Sequence, residues 1–322
     1  MNKRTEILQL QTTSDITDMD VPNDYGLDVS CNLGSLDIYK ATQSENFEEL
    51  VDTSMQLLTN VSEMTYIKNV PSVAKANKLM HSVGLGVMNL HGHLVQNNLL
   101  YGSDESILFM DYFMEALNFY SLKASMEIAK KKNETFYGFE QSEYANGRYF
   151  DQYVNKADVE PSEKVKQALG NVPVITSDMW KELKSQVQEH GVFNAYRLAV
   201  APTGSISYIR SCTASMAPIT EKVEIRDYAD SRTIYPMPYM NDENKHLYVE
   251  AYDIEPYKLI DLYVAAQKHV DQGISMTLYV TDRWTTAQLA KVYVYAWMRG
   301  IKTVYYVRQR LQTLEECVSC SI

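Results

Sequence analysis

Four cysteines carry the most reactive side chains in this 322-residue chain, and two of them stand almost at its end, Cys317 and Cys320 in LEECVSCSI. A Cys-x-x-Cys pair can close on itself after donating electrons, and exposure lets its thiols exchange with other disulfides. The stretch carrying them begins after Arg310 and lacks apolar anchors, so a mobile dithiol fits better than half of a zinc site, which needs four ligands. Cys31 sits in LDVSCNLGSLDIYK, an apolar, strand-like run where a lone cysteine reads as a small buried hydrophobe. Redox chemistry there needs a partner thiol from elsewhere in the fold or from another chain. Cys212 reads as a buried structural thiol.

Two further stretches have chemical potential. In RLAVAPTGSISYIR a strand stops at a tight turn. One reading is a glycine turn between core elements. The other is a phosphate cradle, in which Thr203 and Ser205 supply hydroxyls, Gly204 allows close backbone approach and a helix start after Ser205 adds its dipole. Tyr305 and Tyr306, in KTVYYVR, read first as strand aromatics. Neighbours on a regular strand face opposite sides, so a shared stack would require a local distortion.

The elements that must position these residues follow from periodicity. Apolar residues at spacings of three and four predict helices over 44–68, 74–96, 106–132, 177–190, 255–270 and 285–299. RLAVA, TLYV and IKTVYYVR read as strands, residues 134–163 as a surface insertion or loop, and 218–245 as irregular. Strands alternating with helices predict an α/β fold with parallel strands. Residues 1–310 form the main domain in this reading and 311–322 a flexible redox-shuttle tail.

Composition narrows the partners. With 45% hydrophobic and 22% charged residues the chain can bury a sizeable core. A net charge of -11 and no basic stripe argue against a nucleic-acid polymer, although a small phosphorylated ligand needs only a few backbone N–H groups. No stretch has the length of a signal peptide core or a membrane span, which gives a cytoplasmic expectation and no membrane partner.

Taken in order, SCNLGSL, SVGLGVMNLHG, NAYRLAVAPTGSISYI, KTVYYVR and CVSC resemble the large catalytic (alpha) subunit of class Ib ribonucleotide reductase over nearly the whole chain. The resemblance implies the second half of that family's ten-stranded α/β barrel, with additional helices. It implies reduction of ribonucleoside diphosphates to deoxyribonucleoside diphosphates by thiol and radical chemistry. Cys31 would be one of two thiols that reduce the substrate radical, and Pro202, Thr203, Gly204, Ser205 and Ile206 would hold the substrate diphosphate. Tyr305 and Tyr306 would relay a radical from a small (beta) subunit bearing a dimetal-tyrosyl radical cofactor; no cofactor or metal is expected in this chain. Cys317 and Cys320 would be the shuttle, recharged by a glutaredoxin-like protein or thioredoxin.

The resemblance departs from the family pattern near the start. The family's radical loop reads Asn-Leu-Cys-x-Glu, with the glutamate as general base. Here Asn2-Lys3-Arg4-Thr5-Glu6 stands in its place, so Asn2 and Glu6 agree while Arg4 occupies the radical cysteine's position. Arginine has no labile S–H, which predicts an isolated chain without activity and a partner fragment carrying the barrel's first half. The alternative is a non-catalytic remnant that binds the small subunit.

Overall fold

The computed structural model describes residues 26–30, 32–65, 69–228 and 231–310. In chain order its elements are β1 (Asn32–Asp37), α1 (Ile38–Ala41), α2 (Phe47–Met64), α3 (Pro71–Met80), β2 (Val83–Met88), α4 (Leu90–Gln96) and α5 (Asp104–Lys132). There follow α6 (Asp151–Val154), α7 (Glu163–Leu169), α8 (Ser177–His190), α9 (Gly204–Arg210), β3 (Val223–Tyr228) and β4 (Ser231–Pro236). The last are α10 (Pro256–Gln267), β5 (Thr277–Thr281), α11 (Thr286–Met298) and β6 (Tyr306–Arg310).

The extended segments join in the order in which the chain makes them. β1 pairs with β2 in parallel, Asn32 opposite Val83 through Asp37 opposite Met88. Parallel bridges Leu85–Leu198 and Val200–Ile274 carry the array through residues 197–200 to the approach of β5. Backbone bonds confirm the joins, with Leu85 donating to the Arg197 carbonyl at 2.8 Å and Ser275 to that of Val200 at 3.0 Å. β5 then pairs in parallel with β6, Thr277 opposite Tyr306. The fold is therefore α/β with successive parallel segments joined by helical crossovers, the architecture the resemblance implies.

Close packing explains β2. All six of its residues are buried, and a Cβ added to Gly86 would stand 2.1 Å from the Ala199 carbonyl oxygen. Only glycine lets the next segment approach so closely. This region corrects the helix expected over 74–96, which is a helix, a strand and a second helix. His81 ends α3 in the left-handed conformation at φ 47°, and VGLGVM runs apolar because both faces are covered.

Helix α5 is the pillar of the core. Ser103 caps it by accepting from the Ser106 N–H, Asn133 closes it at φ 53°, and Lys130, Lys131 and Lys132 face its C-terminal dipole. Residues 134–163 contain only short helical turns, but Phe136, Tyr144, Phe150 and Tyr153 are buried in the main core. Tyr153 stacks on Trp180 of α8 at 4.0 Å, so this loop sends aromatic rings into the core while most of its residues stay at least partly exposed. The expected irregular region 218–245 holds the antiparallel hairpin β3–β4. Its opposed Ile225 and Ile234 are 57% and 62% exposed, which leaves no buried alternation to betray a strand.

Candidate active site

Loop 201–206 ends the third extended segment. Thr203 is buried at φ 52°, and its Oγ1 accepts the Ser215 N–H at 2.6 Å. Its hydroxyl oxygen is thus engaged inside the protein, while Pro202, Gly204, Ser205 and Ile206 are exposed. Helix α9 starts at Gly204, two residues earlier than expected. Its first amides have no intrahelical acceptors, and a Cβ on Gly204 would meet no atom within 4 Å. The protein's own packing does not require this glycine.

The tyrosine pair lies on the neighbouring part of the sheet. The rings of Tyr305 and Tyr306 are 4.2 Å apart between centroids and tilted by 55°. They are 50% and 60% exposed. The Tyr306 phenol, bonding to and repelling charge on its neighbour, pushes the Tyr305 hydroxyl above its ordinary range. The chain connects the two sites through neighbouring segments: Val200, just before the loop, bridges Ile274, and β5 three residues further on pairs Thr277 with Tyr306.

A cavity of about 580 Å³ spans the same end of the sheet, with Ser207 and Tyr208 of α9, Tyr279 of β5, Arg308 of β6 and the β3–β4 hairpin in its wall. Tyr208 donates to Glu224 at 2.6 Å. Burial, then the nearby Glu221, raises the Glu224 carboxyl's pKa, with Arg308 opposing. Cys212 also lines the cavity and is buried. Burial, reinforced by Asp37, pushes its thiol up to about 12. A thiol so hard to ionise is a poor nucleophile at neutral pH, in keeping with a structural role.

Asn2, Glu6, Cys31, Cys317 and Cys320, together with Arg4, lie outside the described residues. Sequence reasoning missed a polar net beneath α9, in which Asn89 donates to Asp37 at 2.8 Å and accepts the Thr213 N–H at 3.1 Å. The available signal was a lone asparagine inside the apolar run GVMNL, since asparagine is enriched at left-handed positions. Among the described residues no group of three or more His, Cys, Asp or Glu side chains could hold a metal ion. Among them, too, no helix is long and apolar enough to cross a membrane.

The family model described as "Ribonucleotide reductase, barrel domain" matches residues 2–307. The chain belongs to the ribonucleotide reductase family. It is 46% identical over its whole length to the ribonucleoside-diphosphate reductase subunit alpha of Bacillus subtilis, covering 46% of that protein. It is 40% identical to the subunit alpha of Mycoplasma pneumoniae, with 98% of this chain and 45% of the relative covered. The subunit alpha of Treponema pallidum is 33% identical over 93% of this chain and 33% of its own length. The chain thus spans less than half the length of these curated relatives. Within the ribonucleotide reductase barrel, the extended segments described above are the scaffold that fixes the loop, the cavity and the tyrosine pair relative to one another.

Proposed function

We propose that this chain supplies part of a ribonucleoside-diphosphate reductase active site, completed by a fragment carrying the rest of the alpha subunit. The loop Pro202–Ile206 holds the substrate diphosphate through the exposed first amides of α9 and the Ser205 hydroxyl. Cys31 and a thiol from the partner fragment supply two electrons and two protons; the 2'-hydroxyl leaves as water and the thiols become a disulfide. Cys317 and Cys320 reduce that disulfide by exchange and are recharged by a glutaredoxin-like protein or thioredoxin. Glu6 acts as general base, and Asn2 is a further residue of the same motif. Tyr305 and Tyr306 pass the radical inward from a small subunit, whose dimetal-tyrosyl cofactor initiates it. Because Arg4 has no S–H, the initiating cysteine comes from the partner fragment.

The observation that carries this reading is the shared setting of two family motifs. The Pro202–Ile206 loop leaves the segment that bridges to Ile274, just before β5, and β5 pairs with the strand that Tyr306 opens, within a chain that matches the barrel domain from residue 2 to 307. The test is ribonucleoside diphosphate reduction with a dithiol reductant and the small subunit, for this chain alone and mixed with the candidate partner fragment. Turnover only in the mixture, lost in Cys31→Ser, supports a site assembled across chains. Complex formation without turnover in either case would replace it with a remnant that binds the small subunit, with Arg4 as the cause of inactivity.

A further inference from the structure

We propose that Asn89 is the positioning residue for the Pro202–Ile206 loop, tying both ends of α9 to the sheet through Thr213 and Asp37. The inference rests on the reading of that loop as the diphosphate site; the holding arrangement itself is independent of that role. Asn89 is fully buried at φ 71°. Its N–H donates to the Thr213 carbonyl at 2.9 Å. Its Oδ1 accepts from the Thr213 N–H at 3.1 Å and from the Thr213 hydroxyl at 3.3 Å, and its Nδ2 donates to Asp37 Oδ1 at 2.8 Å. The carboxamide therefore has a partner on both its oxygen and its nitrogen, and the residue bridges β1, β2 and the strand-to-hairpin connection.

From Asn89 the restraint runs in two directions. Through Thr213 it reaches Ser215, whose carbonyl accepts the Leu90 N–H at 3.3 Å and whose own N–H donates to Thr203 Oγ1 at 2.6 Å. Thr203 immediately precedes α9. Through Asp37 it reaches the other end of the helix, where Arg210 Nε lies 3.3 Å from Asp37 Oδ2. Asn89, Thr203, Ser211 and Ser215 all have positive φ without being glycine. Such conformations persist where surrounding bonds over-determine them, and they concentrate at binding and catalytic sites.

Gly92 belongs to the same device. A Cβ there would stand 2.3 Å from Asn89 Oδ1, and its N–H donates to Thr213 Oγ1 at 3.2 Å. The stretch GVMNLHG is therefore accounted for as a clamp. A loop held in one conformation before ligand arrives binds more tightly, because less ordering remains to be done.

The experiment uses the full chain and its reconstituted assembly. Asn89→Gly keeps the left-handed backbone and deletes the carboxamide; Thr213→Val deletes one hydroxyl at similar volume; Thr213→Ser restores it. Hydrogen exchange is expected to quicken about tenfold at the hydrogen-bonded amides of Ser207–Ser211 in Asn89→Gly, with β5 amides unchanged. In the assembly, KM for a ribonucleoside diphosphate rises about tenfold with kcat within about twofold, Thr213→Val lies between, and Thr213→Ser matches the parent. Unchanged exchange in α9, or equal loosening of every amide, overturns the proposal, and Thr213→Val decides it if Asn89→Gly does not fold. An unsubstituted assembly that neither binds nor reduces the diphosphate sinks the functional reading instead, while the exchange measurement still decides whether Asn89 holds the loop.

Discussion

Tyr305 and Tyr306 direct both of their amide N–H groups at one acceptor, the Met276 carbonyl, at 2.8 and 3.4 Å. Two residues opposite one is the geometry of a bulge. It breaks the alternation that would send adjacent side chains to opposite faces, and it brings the rings to 4.2 Å. Both rings are half-exposed or more, so neither hydroxyl is needed for folding. Tyr305→Phe and Tyr306→Phe should each shift unfolding free energy by no more than about 0.5 kcal/mol. Each should also abolish reduction in the assembled enzyme, since phenylalanine has no O–H to oxidise. Urea unfolding beside turnover checks both halves, and full turnover in either variant removes the relay role.

Gly204 offers a sharper test of the diphosphate loop. Its backbone is not in the left-handed region, and an added methyl meets nothing within 4 Å. Gly204→Ala at the start of α9 should therefore stabilise the chain by about 0.4–1 kcal/mol, through a less flexible unfolded state. If a diphosphate rests against this backbone, the same methyl raises KM several-fold. A variant that is more stable and binds substrate equally well would place the ligand elsewhere.

These two sites also mark how far the sequence could be read. The turn at Pro202–Gly204 and the need for a distortion at the tyrosine pair follow from local rules, and so does α8, whose buried Trp180, Leu183 and Val187 repeat at helical spacing. Strand β2 was hidden because VGLGVM, buried on both faces, is continuous with apolar positions in the helices on either side. The hairpin was hidden for the opposite reason, its isoleucines being exposed. The Asn89 net joins residues 124 positions apart, a pairing no local pattern encodes. The acceptor Met276 is likewise a product of tertiary register.

Arg197 shows what a buried charge does in this core. It is fully buried. Its guanidinium donates to the Asn118 carbonyl at 3.1 Å, the Ser121 hydroxyl at 2.6 Å and the Tyr144 hydroxyl at 3.1 Å. Asp271 accepts the backbone N–H groups of Arg197 and Leu198, both at 3.0 Å, and so fixes the start of the third extended segment. Removing the guanidinium takes the donor from several of these buried acceptors at once, while Ser121 keeps only its bond to the Asn118 carbonyl. Arg197→Met is expected to cost about 3–5 kcal/mol, read as a lower urea midpoint. Arg197→Lys is not a rescue, because an ammonium cannot span the same fork of acceptors. A cost below about 1 kcal/mol would show that the network contributes little.

Acid sensitivity should come from buried imidazoles. Burial lowers His91 to about 4 and His93 to about 3 from an ordinary 6.5, with the carbonyls of Leu247 and Ala168 opposing weakly. His81 and His269 are lowered for the same first reason, against the pull of Glu134 and Asp111 respectively. The folded chain thus holds the His91 and His93 rings neutral while the unfolded chain protonates them below about 6.5. Their contribution is complete above that pH and declines as pH falls toward 4 for His91 and 3 for His93. Each such ring adds up to about 1.4 kcal/mol per pH unit to the slope once the unfolded form is protonated. Urea unfolding at pH values of about 7.5, 6.5 and 5.5, above the range where most carboxylates titrate, should give falling stability. His91→Asn should reduce the slope by about one proton. Stability that stays flat or rises on acidification over that window would mean that the rings are charged inside the fold.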